Sequence, residues 1–405
     1  MKEQDRFHFE VSHDGGNGYI KDQINEERIT VPSVISPVLP GQEPQAIDVE
    51  ETNDISKVIH SLIRHMDITV QSQGINVNGR YFIGYSAQGN PSAMGFNVTS
   101  NEGKSTSDIS ILSLLSILAY KAVMRFYESN NVLPSNLRIG VDKMDTALPI
   151  DEIKLHGVRE AYINRYVNHS HVVIINNFTK PITVTITFDK VDVQPEGIIA
   201  ANGLIADPKQ NGKYRSDGIF DKFNKQYKLS YTGKDILGAG NILGIDVGDG
   251  TVDFSVTNST STVPTLNSSI LMGIGNATEN AITALHQAYP MIGQISRQQF
   301  TEIANRDQSA ESKTYKQFLN TQLIVLEQKI VEQVKTIYRS LNAQIGLIFV
   351  CGGGAIVLQP YFEKELEKIV DELSPFDNAP ILWVDAKYAQ TLNLDGLAFR
   401  LKYMK

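Results

Sequence analysis

The chain has 405 residues, of which 41% are hydrophobic and 20% are charged, as in soluble globular proteins with two or more domains. Its formal net charge of −8 gives the surface no overall attraction for the phosphates of nucleic acids. The single cysteine, Cys351, excludes an intrachain disulfide and favours a reducing compartment. We therefore expect a cytoplasmic protein that makes no direct contact with nucleic acid.

No segment of the sequence is typical of a membrane anchor. The first ten residues, MKEQDRFHFE, lack the apolar core of a signal peptide. The longest apolar run, 109–120, has twelve residues including three serines, which predicts a buried helix and not a membrane span. The C-terminal LAFRLKYMK has only a small apolar face, so we expect no membrane contact there either.

The first half of the chain starts with a predicted strand and an acidic glycine turn. Phe7, Phe9 and Val11 alternate with polar residues, a cluster of Asp, Gly and Asn follows at 14–18, and a second strand begins at Tyr19. The further predicted strands are 28–35, 67–72, 80–85, 137–141, 171–176 and 182–188, and the predicted helices are 53–66, 108–128 and 151–166, before residues 191–201 turn from strand into helix.

A polar segment, 207–240, separates the two halves. It contains glycines and carries seven lysines and arginines against four aspartates. This composition predicts a surface excursion, or linker, between the halves.

The second half opens with the same pattern as the first. The stretch ILGIDVGDGTVDFSV, 242–256, predicts an apolar strand, an acidic glycine turn and a second strand. The remaining predicted elements are strands at 268–272, 346–351 and 380–384 and helices at 275–289, 295–305, 314–340, 359–373 and 386–400. The repeated pattern indicates an α/β protein built from two similar domains.

Three glycine turns follow predicted strands, at 14–18, 248–250 and 352–354. Bare backbone lets several amide groups approach phosphate oxygens, and Mg²⁺ is commonly held by one or two carboxylates together with phosphate. Either acidic turn alone is explained by an ordinary hairpin. Brought together across a cleft, the two acidic turns would form a clamp for a magnesium nucleotide.

The motifs, taken in order, resemble those of the actin-like ATPases. DGGNGYIK at 14–21 is similar to the first phosphate motif of that superfamily, and DVGDGTVD at 246–253 to the second. VQPEG at 193–197 resembles the first connecting segment, and VCGGGA at 350–355 the adenosine motif. Further similarity to the plasmid-segregating bacterial actins, the ParM and Alp group, lies in VPSVI, YFIGYSA and TALP. The resemblance implies two domains, each with a mixed β-sheet flanked by helices, and a nucleotide in the cleft between them.

The resemblance also implies roles for individual residues. Asp14 and Asp246 would hold Mg²⁺ through water, and Glu196 would orient the attacking water. Lys21 would place a positive charge against the phosphates. The remaining candidates are Gly15, Gly16, Asn17, Gly18, Gly248, Asp249, Gly250 and Thr251 for the phosphates, Gly352, Gly353 and Gly354 for adenosine, and Asn276 and Glu279 for the base or ribose.

Ordinary structural interpretations stay open for several of these residues. Glu196 follows Pro195 and suits the start of a helix, where the dipole favours an acid. Lys21 could be a solvated strand residue, and Cys351 a small buried one. His13 stands where the family usually has an apolar strand residue.

The implied domains are 1–206, with the first phosphate and connecting motifs, and 241–388, with the second phosphate and adenosine motifs. Residues 207–240 form the excursion, and a C-terminal helix in 389–405 is expected to pack back on the first domain.

The resemblance implies an ATPase that polymerises into a helical filament with Mg-ATP, hydrolyses the nucleotide and segregates plasmid DNA. A small ParR-like DNA-binding adaptor would carry the plasmid centromere, and GTP stays open beside ATP. The basic residues of 207–240 are typical of a solvated loop, and a filament or adaptor contact is the sharper alternative for them. A monomeric sugar or acid kinase and a chaperone-type ATPase on the same fold are the alternatives, although neither a second-substrate base motif nor a peptide-binding domain stands out.

Overall fold

The computed structural model describes residues 6–52, 54–96, 103–210, 213–258, 261–374 and 378–404. The chain divides into two compact units, and both combine a β-sheet with helices. The first unit contains Met1–Leu148, Glu152–Gln194 and Leu397–Lys405, and the second contains Pro149–Asp151 and Pro195–Gly396.

The first unit is built on one mixed sheet. Its strands are β1 (Arg6–Gly15), β2 (Tyr19–Ile24), β3 (Glu27–Pro32), β4 (Val34–Pro37), β5 (Asp67–Gln71), β6 (Gly79–Ile83), β7 (Met94–Gly95), β8 (Asn136–Leu148), β9 (Ser170–Ile175), β10 (Ile182–Phe188) and β11 (Val191–Pro195). They lie in the order β3-β2-β1-β8-β10-β9-β5-β6-β4-β7, and β11 pairs with β8. The β1–β2 hairpin is antiparallel, whereas β1 and β8 run parallel, so the first glycine turn stands at the end of a central strand.

One long apolar helix covers part of this sheet. The α-helices between β4 and β9 are α1 (Ile55–Ser61), α2 (Asp108–Asn130), α3 (Ile150–Ile153) and α4 (Val158–Asn164), and α2 is the long apolar one. Helix α2 begins at the cap Ser107, whose hydroxyl accepts from the Ile109 amide, and ends at Asn131 in the left-handed conformation that Asn tolerates.

Among helices of the described residues, α2 alone is long and apolar enough to cross a membrane. It is longer than the apolar run that predicted it. However, 83% of its most apolar 18-residue window is buried inside the protein, as in the core helix of a globular unit.

The second unit has a smaller sheet. Its strands are β12 (Asn241–Val247), β13 (Val252–Asn258), β14 (Ser261–Thr262), β15 (Ser268–Ile270), β16 (Leu347–Cys351) and β17 (Ile381–Trp383), and its helices are α5 (Ile198–Ile205), α6 (Asp221–Tyr227), α7 (Gly233–Ile236), α8 (Ile274–Ala288), α9 (Arg297–Arg306), α10 (Ala310–Ser340), α11 (Gly353–Leu373), α12 (Ala386–Ala389) and α13 (Leu392–Leu401). The strand order is β14-β13-β12-β16-β17, with β15 paired to β13.

Hydrophobic cores lie on both faces of this second sheet. Ile348 and Val350 of β16 belong to one core, with α8, α10 and α11, while the alternate residues Phe349 and Cys351 belong to the other. A strand buried on both faces explains why β16 is apolar throughout. Cys351 is 1% exposed, in agreement with its interpretation as a small buried residue.

The segment 207–240 differs from the predicted surface excursion. It contains α6 and α7, and Phe220 and Phe223 belong to the hydrophobic core of the second unit. Arg215 is 1% exposed, and its Nη1 donates to the Gly203 carbonyl and to Asp395 Oδ2, both at 2.7 Å. The prediction of a surface excursion was wrong because composition does not distinguish a buried arginine that is paired with a carboxylate from an arginine exposed to solvent.

The boundary between the units also differs from the predicted one at 206. It falls after Gln194, because α5 packs within the second unit, where a Cβ on Gly203 would lie only 2.4 Å from the Leu392 carbonyl oxygen. Of the predicted C-terminal segment, residues up to Gly396 group with the second unit, and Leu397–Lys405 group with the first.

We expect Arg215→Ala to lower the free energy of unfolding by about 3–5 kcal/mol, because it leaves a buried carboxylate without its cation. Lys213→Ala, at an exposed position of the same segment, is the matched control and should change it by less than about 0.5 kcal/mol. Urea unfolding followed by circular dichroism measures both. Equal midpoints for the two variants would show that the Arg215 cluster does not hold the segment in place.

Candidate functional site

The first glycine turn closes the β1–β2 hairpin. Asp14 and Lys21 are paired across the hairpin, and Lys21 Nζ donates to Asp14 Oδ2 at 2.8 Å. Asp14 is only 4% exposed, so its carboxylate is held at the strand end with one oxygen on the ammonium group. Lys21 is therefore not a solvated strand residue, and its charge lies beside the carboxylate predicted to hold the metal.

Ser33, between β3 and β4, supports the same turn. Its hydroxyl donates to the Gly16 carbonyl at 2.5 Å, and its amide donates to the Gly18 carbonyl at 3.1 Å. A Cβ on Gly16 would lie 2.7 Å from the Tyr19 carbonyl oxygen, so the tight path of the turn requires glycine there. The turn is thus fixed from both ends. The sequence analysis did not single out Ser33, although it lies inside the VPSVI motif.

The second turn, between β12 and β13, is closed by a hydrogen bond from the Gly248 amide to the Thr251 carbonyl at 2.8 Å. Asp246 is 7% exposed at the end of β12, and Asn393 Nδ2 donates to its Oδ2 at 2.7 Å. Both turns therefore present the same arrangement, a nearly buried carboxylate at a strand end with one oxygen on a nitrogen donor.

The start of α8 lies against the second turn. The Ile274 and Gly275 amides donate to the Gly248 and Asp249 carbonyls at 3.1 and 2.7 Å. Asn276, predicted to lie near the base or ribose, places its side-chain oxygen on the Gly273 amide at 2.9 Å. That oxygen therefore caps α8, which gives Asn276 a structural role within the helix terminus.

Arg297, at the start of α9, links this turn to α8. Its Nη1 donates to Asp249 Oδ2 at 2.6 Å, and its Nε lies 3.4 Å from Glu279 Oε1. The predicted candidates Asp249 and Glu279 are thus brought together by a guanidinium group that the sequence analysis missed. No motif in the sequence could have predicted this pairing, because Arg297 and Asp249 are 48 residues apart.

The triple glycine connects β16 to α11 and packs on the second turn. Gly352 has φ +92°, and a Cβ there would lie 2.3 Å from Asp246 Oδ1 and 2.4 Å from the Val247 carbonyl oxygen. A Cβ on Gly354 would lie 2.6 Å from an Ile274 side-chain carbon. Packing alone thus requires two of the three glycines, and it brings the predicted adenosine motif against the second phosphate motif.

Glu196 lies between β11 and α5 and is 6% exposed. The next residue, Gly197, has φ +74°, and a Cβ there would lie 3.7 Å from the Asp253 Cβ on β13. Asp253 in turn accepts from the Thr251 and Ser269 hydroxyls at 2.8 and 2.5 Å. Glu196 is therefore a buried acid near β13, within the second unit, and it directly precedes Gly197, the cap of α5, so its position also fits a helix-start acid.

Residues 244–364 match the family model described as archaeal actin homologue MreB-like, C-terminal. Among curated proteins, none matches the chain. The actin-like protein Alp7A has a similar structure, with a TM-score of 0.67 and 13% identity over 98% of this chain and 97% of that one. So does Bacillus thuringiensis ParM with AMPPNP, with a TM-score of 0.60 and 12% identity over 98% and 99%.

A third similar structure is that of a 15-stranded ParM filament from Clostridium botulinum, with a TM-score of 0.62 and 18% identity over 98% of this chain and 99% of that one. The chain therefore has the actin-like α/β fold, as the order of its motifs predicted. Its predicted resemblance to ParM and Alp proteins is confirmed in the fold, and residues 244–364 match a family model of actin homologues.

We expect Gly352→Ala to lower the free energy of unfolding by about 3 kcal/mol, because alanine combines a disfavoured φ with contacts to the end of β12. Gly353→Ala is the matched control, since its Cβ would meet only the Gln390 side chain, at 3.7 Å, at the start of a helix. It should shift stability by less than about 1 kcal/mol. Thermal and urea unfolding of both variants measure the difference, and equal losses would contradict this account of Gly352.

Proposed function

We propose that the chain is a filament-forming bacterial actin that binds ATP with Mg²⁺, hydrolyses it and couples hydrolysis to polymerisation. The proposal rests on a feature that the two hairpins share at their ends. Asp14 and Asp246 are each the nearly buried carboxylate of a strand that enters a glycine turn. The order of the motifs and the actin-like fold support the assignment of both turns to one nucleotide.

The two carboxylates fit a magnesium ion that is bound through water. Mg²⁺ takes oxygen ligands, retains several of its waters and needs few carboxylates when phosphate is present. Asp14 and Asp246 each have one oxygen engaged by a nitrogen donor, which fixes the orientation of the carboxylate. When bound, the ion would neutralise charge on the phosphate oxygens.

The backbone of the turns would bind the phosphates. Residues 15–18 and 248–251 present glycine-rich backbone to which phosphate oxygens can come close. Lys21, already held beside Asp14, adds a positive charge to the first turn. Gly353 begins α11 and is the member of the triple glycine that packing leaves most open, which makes it the candidate for contact with adenosine.

Glu196 is proposed to orient the water that attacks the terminal phosphate. It is buried, it precedes a glycine in the left-handed region, and Asp253 of the second phosphate motif lies close to that glycine. Phosphoryl transfer depends mainly on positioning and electrostatic stabilisation, so a buried carboxylate suits this role.

Polymerisation would proceed by head-to-tail contacts between copies of the chain, since heterologous contacts continue into filaments. Similarity to the ParM of a filament supports this part of the proposal. The likeness to ParM and Alp proteins supports a role in plasmid segregation, which we propose to take place in the cytoplasm. A small adaptor that binds the plasmid centromere would link filament to DNA, in keeping with the acidic net charge of the chain.

We expect light scattering from the purified chain to rise when Mg-ATP is added and filaments to appear by negative-stain microscopy. The rise in scattering should be absent with ATP and EDTA. EDTA removes the Mg²⁺ that would neutralise the phosphates bound by the two turns. GTP in place of ATP tests the choice of nucleotide. A monomer that consumes ATP only when a sugar or an acid is present would contradict the proposal and favour a kinase.

We expect Glu196→Ala to polymerise with Mg-ATP but to release phosphate about 100-fold more slowly, so that its filaments persist. Glu160→Ala removes the same group at an exposed position of α4, outside the glycine motifs, and should behave as wild type. Phosphate release and the decay of scattering are measured together. Unchanged release from the Glu196 variant would remove this residue from the mechanism.

A further inference from the structure

The hairpin that carries the first glycine turn has two different faces at its end. Asp14 and Lys21 pair at one position of the hairpin, and His13 and Asp22 pair at the next. Side chains at successive strand positions point to opposite faces of a sheet. The carboxylate and ammonium group thus lie on one face, whereas His13 and Asp22 lie on the other.

On that other face, His13 links the hairpin to α2 through two short hydrogen bonds. Its Nδ1 lies 2.6 Å from Asp22 Oδ1, and its Nε2 lies 2.6 Å from Ser110 Oγ. His13 and Asp22 are fully buried, and Ser110 is 2% exposed. With the proton on Nδ1, the ring donates to Asp22 and accepts from Ser110, so each bond has a donor and an acceptor.

Ser110 also lies close to the turn. A Cβ on Gly15 would lie 2.7 Å from Ser110 Oγ and 3.5 Å from His13 Nε2, so the hydroxyl group occupies the space that a side chain at position 15 would need. The hydroxyl group is hydrogen-bonded to His13, lies 3.4 Å from the Tyr162 hydroxyl, and fills the space beside Gly15.

Burial gives this arrangement its rigidity. The burial of Asp22 raises the pKa of its carboxyl, and the hydrogen bond from His13 opposes that shift. Because His13 and Asp22 are fully buried, their hydrogen bond replaces the bonds that each would make with water. Loss of that bond would leave a buried polar group unsatisfied, which is destabilising, so the bond keeps the two side chains in a defined geometry. An apolar strand residue in place of His13 would fill space but would not direct Ser110 towards Gly15.

We propose that Ser110, His13 and Asp22 are positioning residues that hold Gly15 and Asp14 in the conformation that binds the phosphates and Mg²⁺. This inference rests on the proposed function. It adds a set of residues that does not touch the nucleotide and acts through the backbone of the turn. Outer partners of this kind typically change the affinity of a site about tenfold or more when they are removed.

The test compares serines of one helix. Ser110→Ala removes the hydroxyl that bonds to His13 beside Gly15, whereas Ser113→Ala and Ser116→Ala remove buried α2 hydroxyls that have no hydrogen-bond partner among the described residues. Affinity for Mg-ATP and for AMP is measured by calorimetry on the full chain. We expect Ser110→Ala to weaken Mg-ATP binding about tenfold and AMP binding little, because AMP lacks the outer phosphates, and we expect both control variants to bind as wild type.

A second pair of variants covers the case in which Ser110→Ala does not fold. Asp22→Asn keeps an acceptor oxygen for His13 Nδ1 and should retain Mg-ATP affinity, whereas Asp22→Ala should lose about tenfold. Equal affinities within both sets, or a parallel loss for Mg-ATP and AMP, would overturn the positioning role and leave the proposed function standing. A wild-type chain that takes up no nucleotide would overturn both.

Discussion

The candidate site of the second unit depends on the close approach of Gly352 to the end of β12. β16 pairs in parallel with β12 and places Cys351 opposite Asp246, so the next residue, Gly352, leaves the strand directly beside Asp246 and Val247. Only a residue without a side chain can take this path with a positive φ. That constraint places the start of α11 beside the second turn, and Ile274 then closes the arrangement by packing against Gly354.

The two hairpins each hold a carboxylate beside a glycine turn, but different neighbouring residues stabilise the two turns. In each, a carboxylate at the end of a central strand is oriented by one nitrogen donor, the Lys21 ammonium in the first unit and the Asn393 amide in the second. The first turn is held by hydrogen bonds from Ser33, the second by backbone hydrogen bonds from the start of α8. Such outer contacts decide how precisely a ligand can be bound.

Much of the architecture could be predicted from local patterns. The hairpins, the buried helix α2 and the long helix α10 follow from alternation, turn residues and apolar spacing, which act over a few positions. Residues 207–240 could not be predicted in the same way. Arg215 and the carboxylate of Asp395 are 180 residues apart, and the burial of their pair converts a polar segment into part of a packed unit.

The sequence by itself determined the α/β class, the two acidic glycine turns and the resemblance to actin-like proteins. Turns and strands depend on residue types and apolar alternation over a few consecutive positions, which the sequence shows directly. Only the tertiary structure decided which groups support those turns. Arg297, Asn393 and Ser110 reach their partners across 48, 147 and 97 residues, respectively. Such contacts arise from the packing of distant helices on the strand ends, and no spacing within the chain encodes them.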